Sequence, residues 1–211
     1  MTDKIKELTD RCSKLIQDVK FAQAAECAQE LIGLKAELYG ERSPEMLDAY
    51  GSAALAYSLN AYHTAGHAEL GEERFITSDR HFALSLYYYN EALEITKEHC
   101  GENSTQAARI YSNMGSVYRL MDDDWQEEEY YMQAIAIYCS LVNEVIEKHG
   151  EFSKEIADIY ENLSMLYKNL DCTKEMLMYI EKAEAVYDKL DGECGHDHDH
   201  EHDHDHCHCS E

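Results

Sequence analysis

One phrase recurs three times in this chain: GERSPEMLDAY at 40–50, GENSTQAARIY at 101–111 and GEFSKEIADIY at 150–160. Gly, Glu, Ser and the final Tyr keep fixed offsets. Internal repetition of this kind restricts the fold to an array of similar units, because no single unit can bury its apolar face alone. The phrase itself reads as a joint between helices. Gly40, Gly101 and Gly150 are expected to close one helix in the left-handed conformation that glycine adopts without strain. Ser43, Ser104 and Ser153 then cap the next helix, and Pro44 takes the first helical position, where a missing N–H costs nothing.

After each joint the apolar residues step by three and four: Tyr50, Ala53, Tyr57; Tyr111, Met114, Tyr118; Tyr160, Leu163, Tyr167. That is the periodicity of amphipathic helices. The segments between joints also match, since 21–40 aligns with 131–150 without a gap and pairs Phe21 with Tyr131 and Ala24 with Ala134. The spacing predicts an all-α chain of four helix pairs, at about 3–18 and 20–39, 44–61 and 80–99, 104–121 and 124–148, and 153–169 and 172–190. The joints are unequally spaced, and the surplus falls at 62–79, an insertion expected to form surface loop or extra helix on one face. Sixteen tyrosines against four phenylalanines suit interfaces that are half buried and half wet.

The run Tyr111-x-x-Met114-Gly115-x-x-Tyr118, followed by Tyr131-x-x-Ala134, resembles the tetratricopeptide signature of aromatic, Leu-Gly, Tyr, then aromatic and Ala. The long helices and the Gly-Glu-x-Ser joint resemble the kinesin-light-chain-like variant of that family. The resemblance covers residues 1–190. It departs at Glu127, where the family places a small residue at a helix crossing, and at Ala54 and Ser164, which stand for the glycine. It implies a right-handed helical-hairpin solenoid with a partner groove lined by the first helix of each pair. Groove positions carried over are Arg109, Ser112, Asn113, Ser116 and Arg119 in the third pair, with Asn162, Met165 and Lys168 in the fourth. Ser52 occupies the asparagine slot in the second pair. Asp48 and Asp158 stand beside the slot of Arg109, which does not suit the family's clamp for a C-terminal carboxylate.

Net charge is −25; the tail at 191–211 holds eight of the 43 acids and none of the 18 Lys and Arg, which leaves −17 on the body. An acidic body repels phosphate backbones, so nucleic acid is not an expected partner; a basic protein segment or a cation is. The N-terminal MTDKIKELTD has no apolar stretch of signal-peptide length, and no run of 18 apolar residues follows, so no membrane contact and a cytoplasmic location are expected. Cys12, Cys27, Cys100, Cys139 and Cys172 are scattered through helical patterns and read as reduced core or edge residues.

From Cys194 the composition changes to CGHDHDHEHDHDHCHCSE. A low-complexity run without apolar content cannot build a core, so 191–211 is expected to be a disordered tail. Its donors are Cys194, His196, His198, His200, His202, His204, His206, Cys207, His208 and Cys209. Imidazole and thiolate suit zinc, nickel and copper, and the interleaved carboxylates concentrate cations and orient imidazoles. His63 and His67, four apart in the insertion beside Glu69, read more simply as a surface pair than as ligands.

No glycine-rich phosphate loop, Gly-x-Ser-x-Gly elbow or His-Glu-x-x-His occurs, and no catalytic role is expected. The sequence supports a protein-interaction scaffold whose tail stores or senses a divalent transition metal. The alternatives are a metallochaperone that hands nickel or zinc to a client docked in the groove, and an adaptor with a passive acidic tail. Calorimetric titration separates these. The full chain is expected to take up about two zinc ions at four donors each, and a 1–190 truncation none; equal uptake by both would remove the tail from any metal role.

Overall fold

A computed structural model describes residues 2–66 and 72–193, with backbone alone at 72–75, 192 and 193. Eight helices follow one another among the described residues. They are α1 (Thr2–Gln17), α2 (Phe21–Tyr39), α3 (Leu47–Ala65), α4 (Glu72–Cys100), α5 (Thr105–Leu120), α6 (Asp124–His149), α7 (Lys154–Asn169) and α8 (Thr173–Glu193). Each packs chiefly on its neighbours in the chain, giving hairpins α1–α2, α3–α4, α5–α6 and α7–α8 stacked in series. First helices also touch across the stack, α1 with α3 and α3 with α5. This is a helical-hairpin solenoid, in which each unit is completed by the next.

Boundaries expected from the sequence hold to within a few residues except around the insertion. There α3 continues to Ala65 and α4 begins at Glu72, so most of 62–79 lengthens the second hairpin. Buried Ser78 fixes the extension, its hydroxyl donating to the Ala61 carbonyl at 3.0 Å, and Ser85 does the same to Ala54 at 2.7 Å. Ala54 and Ala61 of α3, buried in one cluster with Phe82 and Tyr89 of α4, let α4 approach that closely, while Ala49, Ala53 and Ala56 are buried with α2. The expected metal donors from Cys194 onward, and His67 and Glu69, lie outside the described residues.

Three of the hairpins are closed by the same device. Two tyrosines seven apart on the first helix occupy one face, and a tyrosine of the second helix packs between them. Tyr88 lies 5.9 Å from Tyr50 and 5.8 Å from Tyr57 between ring centroids. Tyr130 lies 6.1 Å from Tyr111 and 5.1 Å from Tyr118, and Tyr179 lies 5.9 Å from Tyr160 and 5.6 Å from Tyr167. The rings of the second contact are nearly parallel, at 16°, 14° and 7°. Such pairs add about 0.5–1.5 kcal/mol each beyond area burial.

Two kinds of reversal join the helices. Between hairpins, Gly40, Gly101 and Gly150 have φ of 87°, 90° and 89°. At Gly40 and Gly150, ψ is 151° and 162°, so the backbone there is not the expected left-handed cap but an extended form open almost only to glycine. The serines also divide. Ser104 accepts from the Ala107 N–H and donates to the Gly101 carbonyl, and Ser153 donates to the Gly150 carbonyl at 3.1 Å without capping through its side chain. Ser43 makes neither bond; a 3₁₀ turn at Pro44–Met46 leads into α3 instead. Within hairpins, Val19, Asp122 and Asp171 sit at φ of 61°, 55° and 56°. The following N–H groups, of Lys20, Asp123 and Cys172, reach back to the carbonyls of Leu15, Tyr118 and Tyr167. These are three copies of the Schellman closure.

One glycine is required by space. A Cβ on Gly115 would stand 2.6 Å from the Tyr131 ring, which is fully buried. Gly115→Ala is therefore expected to destabilise the chain by about 1–3 kcal/mol through overpacking. Val19, β-branched in the left-handed region and exposed, should behave oppositely: Val19→Gly is expected to stabilise by about 1 kcal/mol. Urea unfolding followed by circular dichroism checks both, and a neutral Gly115→Ala would contradict the close crossing.

Candidate interaction groove

The first helices α3, α5 and α7 present equivalent positions toward one face. Counting from the shared tyrosines, Asp48, Arg109 and Asp158 occupy one slot, and Ser52, Asn113 and Asn162 the slot one turn on. Two cavities lie between these helices. One, of about 350 Å³, is lined by Asp48 and Gly51 of α3, by Arg109 and Asn113 of α5, and by Thr96 of α4. The other, of about 380 Å³, is lined by Arg109 of α5, by Glu155, Asp158 and Asn162 of α7, and by Tyr138 of α6. Arg109 is common to both, exposed, and forms no ion pair or hydrogen bond with another described residue.

The two outer carboxylates differ in their surroundings. Lys35 crosses from α2 to pair with Asp48, while its ammonium also donates to the Glu45 carbonyl at 2.7 Å. Asp48 further accepts from the Ala49 N–H at 2.8 Å. Lys35 is almost wholly buried, so this pair knits α2 to α3. On α7, Asn162 donates to the Asp158 backbone carbonyl at 2.6 Å, and Glu155 stands 3.9 Å from His149, a contact that is ionic only when the imidazole is protonated.

Two floor residues were not legible from the helix-facing pattern. Thr96 and Tyr138 hold the same place on successive second helices, eight residues after the sandwiched Tyr88 and Tyr130. They are 0% and 1% exposed, and neither hydroxyl has a hydrogen-bond partner among the described residues. Burial pushes the Tyr138 phenol up to about 12, against a smaller opposing effect of the Arg109 charge, so it remains a neutral hydroxyl at neutral pH. The register of the second helices was the signal that could have found them.

The remaining positions carried over from the resemblance are placed differently. Ser116 donates to the Ser112 carbonyl at 3.1 Å and meets the Tyr131 hydroxyl at 3.1 Å. Arg119 donates to Glu127 at 2.7 Å and to the Asn169 side chain at 3.1 Å, also bonds the Asn169 carbonyl, and lies 5.6 Å over the Tyr131 ring. It is a lock between the third and fourth hairpins, and it pairs with Glu127 at a crossing where the tetratricopeptide pattern that the sequence resembles has a small residue. Arg119 and Lys168 line a third cavity of about 690 Å³ by the intra-hairpin turns, among Asp122, Asp124, Glu128 and Asp171. Met165 is 61% exposed and, like Ser112 and Ser116, lines none of the three cavities.

His63 packs edge-on to Phe21, with ring centroids 5.9 Å apart. Among the described residues no three His, Cys, Asp or Glu gather to hold a metal ion, and no helix is long and apolar enough to cross a membrane.

Residues 79–140 match the model of a tetratricopeptide repeat family, a span from α4 into α6. The fold is similar to the crystal structure of BtubC (BKLC) from P. vanneervenii, with a TM-score of 0.56 and 18% identity over 89% of this chain. This chain spans 65% of that structure's length, and at such identity the likeness is one of fold. A kinesin-light-chain-like protein of Podosopora anserina with nearly identical TPR-like repeats aligns over 90% of this chain and 98% of its own, at 11% identity and a TM-score of 0.43. No curated protein matches the chain.

Proposed function

We propose that this chain is a protein-interaction scaffold that docks a partner segment on the face formed by α3, α5 and α7. The observation that carries this reading is the pair of cavities sharing Arg109, built from the same slots in successive repeats and edged by Asn113 and Asn162. An amide side chain offers both a donor and an acceptor, which suits the backbone of an extended segment. The tetratricopeptide-type architecture supports a binding role rather than a catalytic one, and the reading assigns no reaction to the chain.

The tail is a second, separate element of the proposal. Seven histidines and three cysteines between 194 and 209 supply donors for zinc, nickel or copper, so the tail would store or sense metal beside a docked partner. Binding would weaken at low pH, because imidazole must be neutral and thiol deprotonated to ligate. We place the protein in the cytoplasm, a reading that rests on the sequence, where Cys12, Cys27, Cys100, Cys139 and Cys172 are scattered through helical patterns.

A photo-crosslinking amino acid placed at Asn113 or Asn162 tests the groove. Both positions are expected to capture a protein partner in cells, whereas the exposed Glu144 on second helix α6 is not. Equal capture at all three would remove the groove from partner binding.

A further inference from the structure

Resting on the groove reading above, we propose that the site is charge-ordered and selects an extended segment carrying an acidic side chain with a lysine or arginine two or four residues away, on the same side of the segment. The acidic side chain sits at Arg109, and the basic one lies toward α7.

The order follows from the equivalent slots. Successive first helices present Asp48, Arg109 and Asp158, a negative, a positive and a negative charge in the same place. On the α3 side the charge is already satisfied, since Lys35 pairs with Asp48 and the Ala49 N–H donates to it. On the α7 side Asp158 and Glu155 face the cavity together. A partner therefore meets one cation in the centre and two carboxylates on one side. Single-sign segments do not match this: an all-acidic segment is repelled at Asp158 and Glu155, and an all-basic one at Arg109. An extended chain advances about 3.3 Å per residue and turns successive side chains to opposite faces, so two side chains that both enter the groove stand two or four residues apart.

The floor supplies an independent observation. Thr96 and Tyr138, on either side of Arg109, are fully buried, line the two cavities and leave their hydroxyls without a partner among the described residues. An unpaired buried hydroxyl disfavours the folded chain, and pairing it with a bound backbone removes that cost. Two such groups at equivalent positions, one repeat apart, match two separate peptide units of a segment running across the repeats.

The probes are fluorescein-labelled peptides of extended propensity, Ser-Val-Glu-Thr-Lys-Val-Ser and Ser-Val-Glu-Thr-Val-Thr-Lys-Val-Ser with their reversed sequences, and Glu-only and Lys-only versions as controls. Anisotropy titration of the full chain is expected to show one mixed-charge peptide bound at least tenfold more tightly than either control. Arg109→Glu should transfer the preference to the Lys-only peptide. Tyr138→Phe and Thr96→Val should leave the melting temperature unchanged or raised while weakening the mixed-charge peptide about fivefold or more. A purely structural role for these hydroxyls would give the opposite pattern, with lower melting and unaltered affinity. Equal binding of single-sign peptides, or an unchanged preference in Arg109→Glu, overturns the charge order. It leaves the groove itself standing, because crosslinking from Asn113 and Asn162 reports that independently.

Discussion

The rest of the structure depends on the insertion, in three of the four hairpins, of one tyrosine of the second helix between two tyrosines of the first. Tyrosines seven apart stand two turns apart on one helix face, so the pocket between them fits a single ring. The three sandwiches centred on Tyr88, Tyr130 and Tyr179 set the same spacing in three hairpins, although the helices differ in length and in most other residues. Tyrosine suits the task better than phenylalanine at a half-wet edge, because its ring packs while its hydroxyl can still hydrogen-bond, as Tyr50 does to the Glu41 carbonyl at 3.3 Å.

Fixing three hairpins this way leaves the joints to set how hairpins follow one another. Glycine at Gly40, Gly101 and Gly150 permits a backbone that other residues rarely adopt, while Lys35–Asp48 and Arg119–Glu127–Asn169 tie successive units through charge. The first helices are then held in register, and a slot repeated in sequence becomes a row in space. The groove is this row. Its central Arg109, its asparagines and its buried floor hydroxyls come from different repeats, and each is positioned by a hairpin that folds for other reasons.

The joints and helix pairs could be read from the sequence because they depend on local signals: a glycine with a serine three residues on, and apolar steps of three and four. What could not be read depends on which side chain faces which. Tyr87, Tyr88 and Tyr89 stand in a row, and only packing shows that Tyr88 enters the sandwich while Tyr89 is buried elsewhere and Tyr87 is 54% exposed. Arg119 occupies a groove slot by position yet is drawn away by Glu127 and Asn169. Ser43 matches Ser104 and Ser153 in the repeat, but the turn begun by Pro44 leaves its hydroxyl buried without a partner among the described residues. Val19 carries no sequence mark of its left-handed backbone. Thr96 and Tyr138 carry no sequence mark of a groove position, and only their unpaired hydroxyls beside two cavities set them apart.

The sandwiches are tested most directly by a carbon NMR titration of ring-labelled tyrosine, run beside circular dichroism. Burial pushes Tyr118 and Tyr179 from 10.0 up to about 12. A phenol whose folded pKa is raised contributes stability that is fully present below pH 10 and lost as pH climbs through the folded values. Helix content should hold to about pH 10 and then fall toward pH 12, with these two rings ionising as it falls. Ionisation of both near pH 10 with helix content unchanged would show that the rings are not buried against one another, and the hairpin-closing role of the tyrosines would fail.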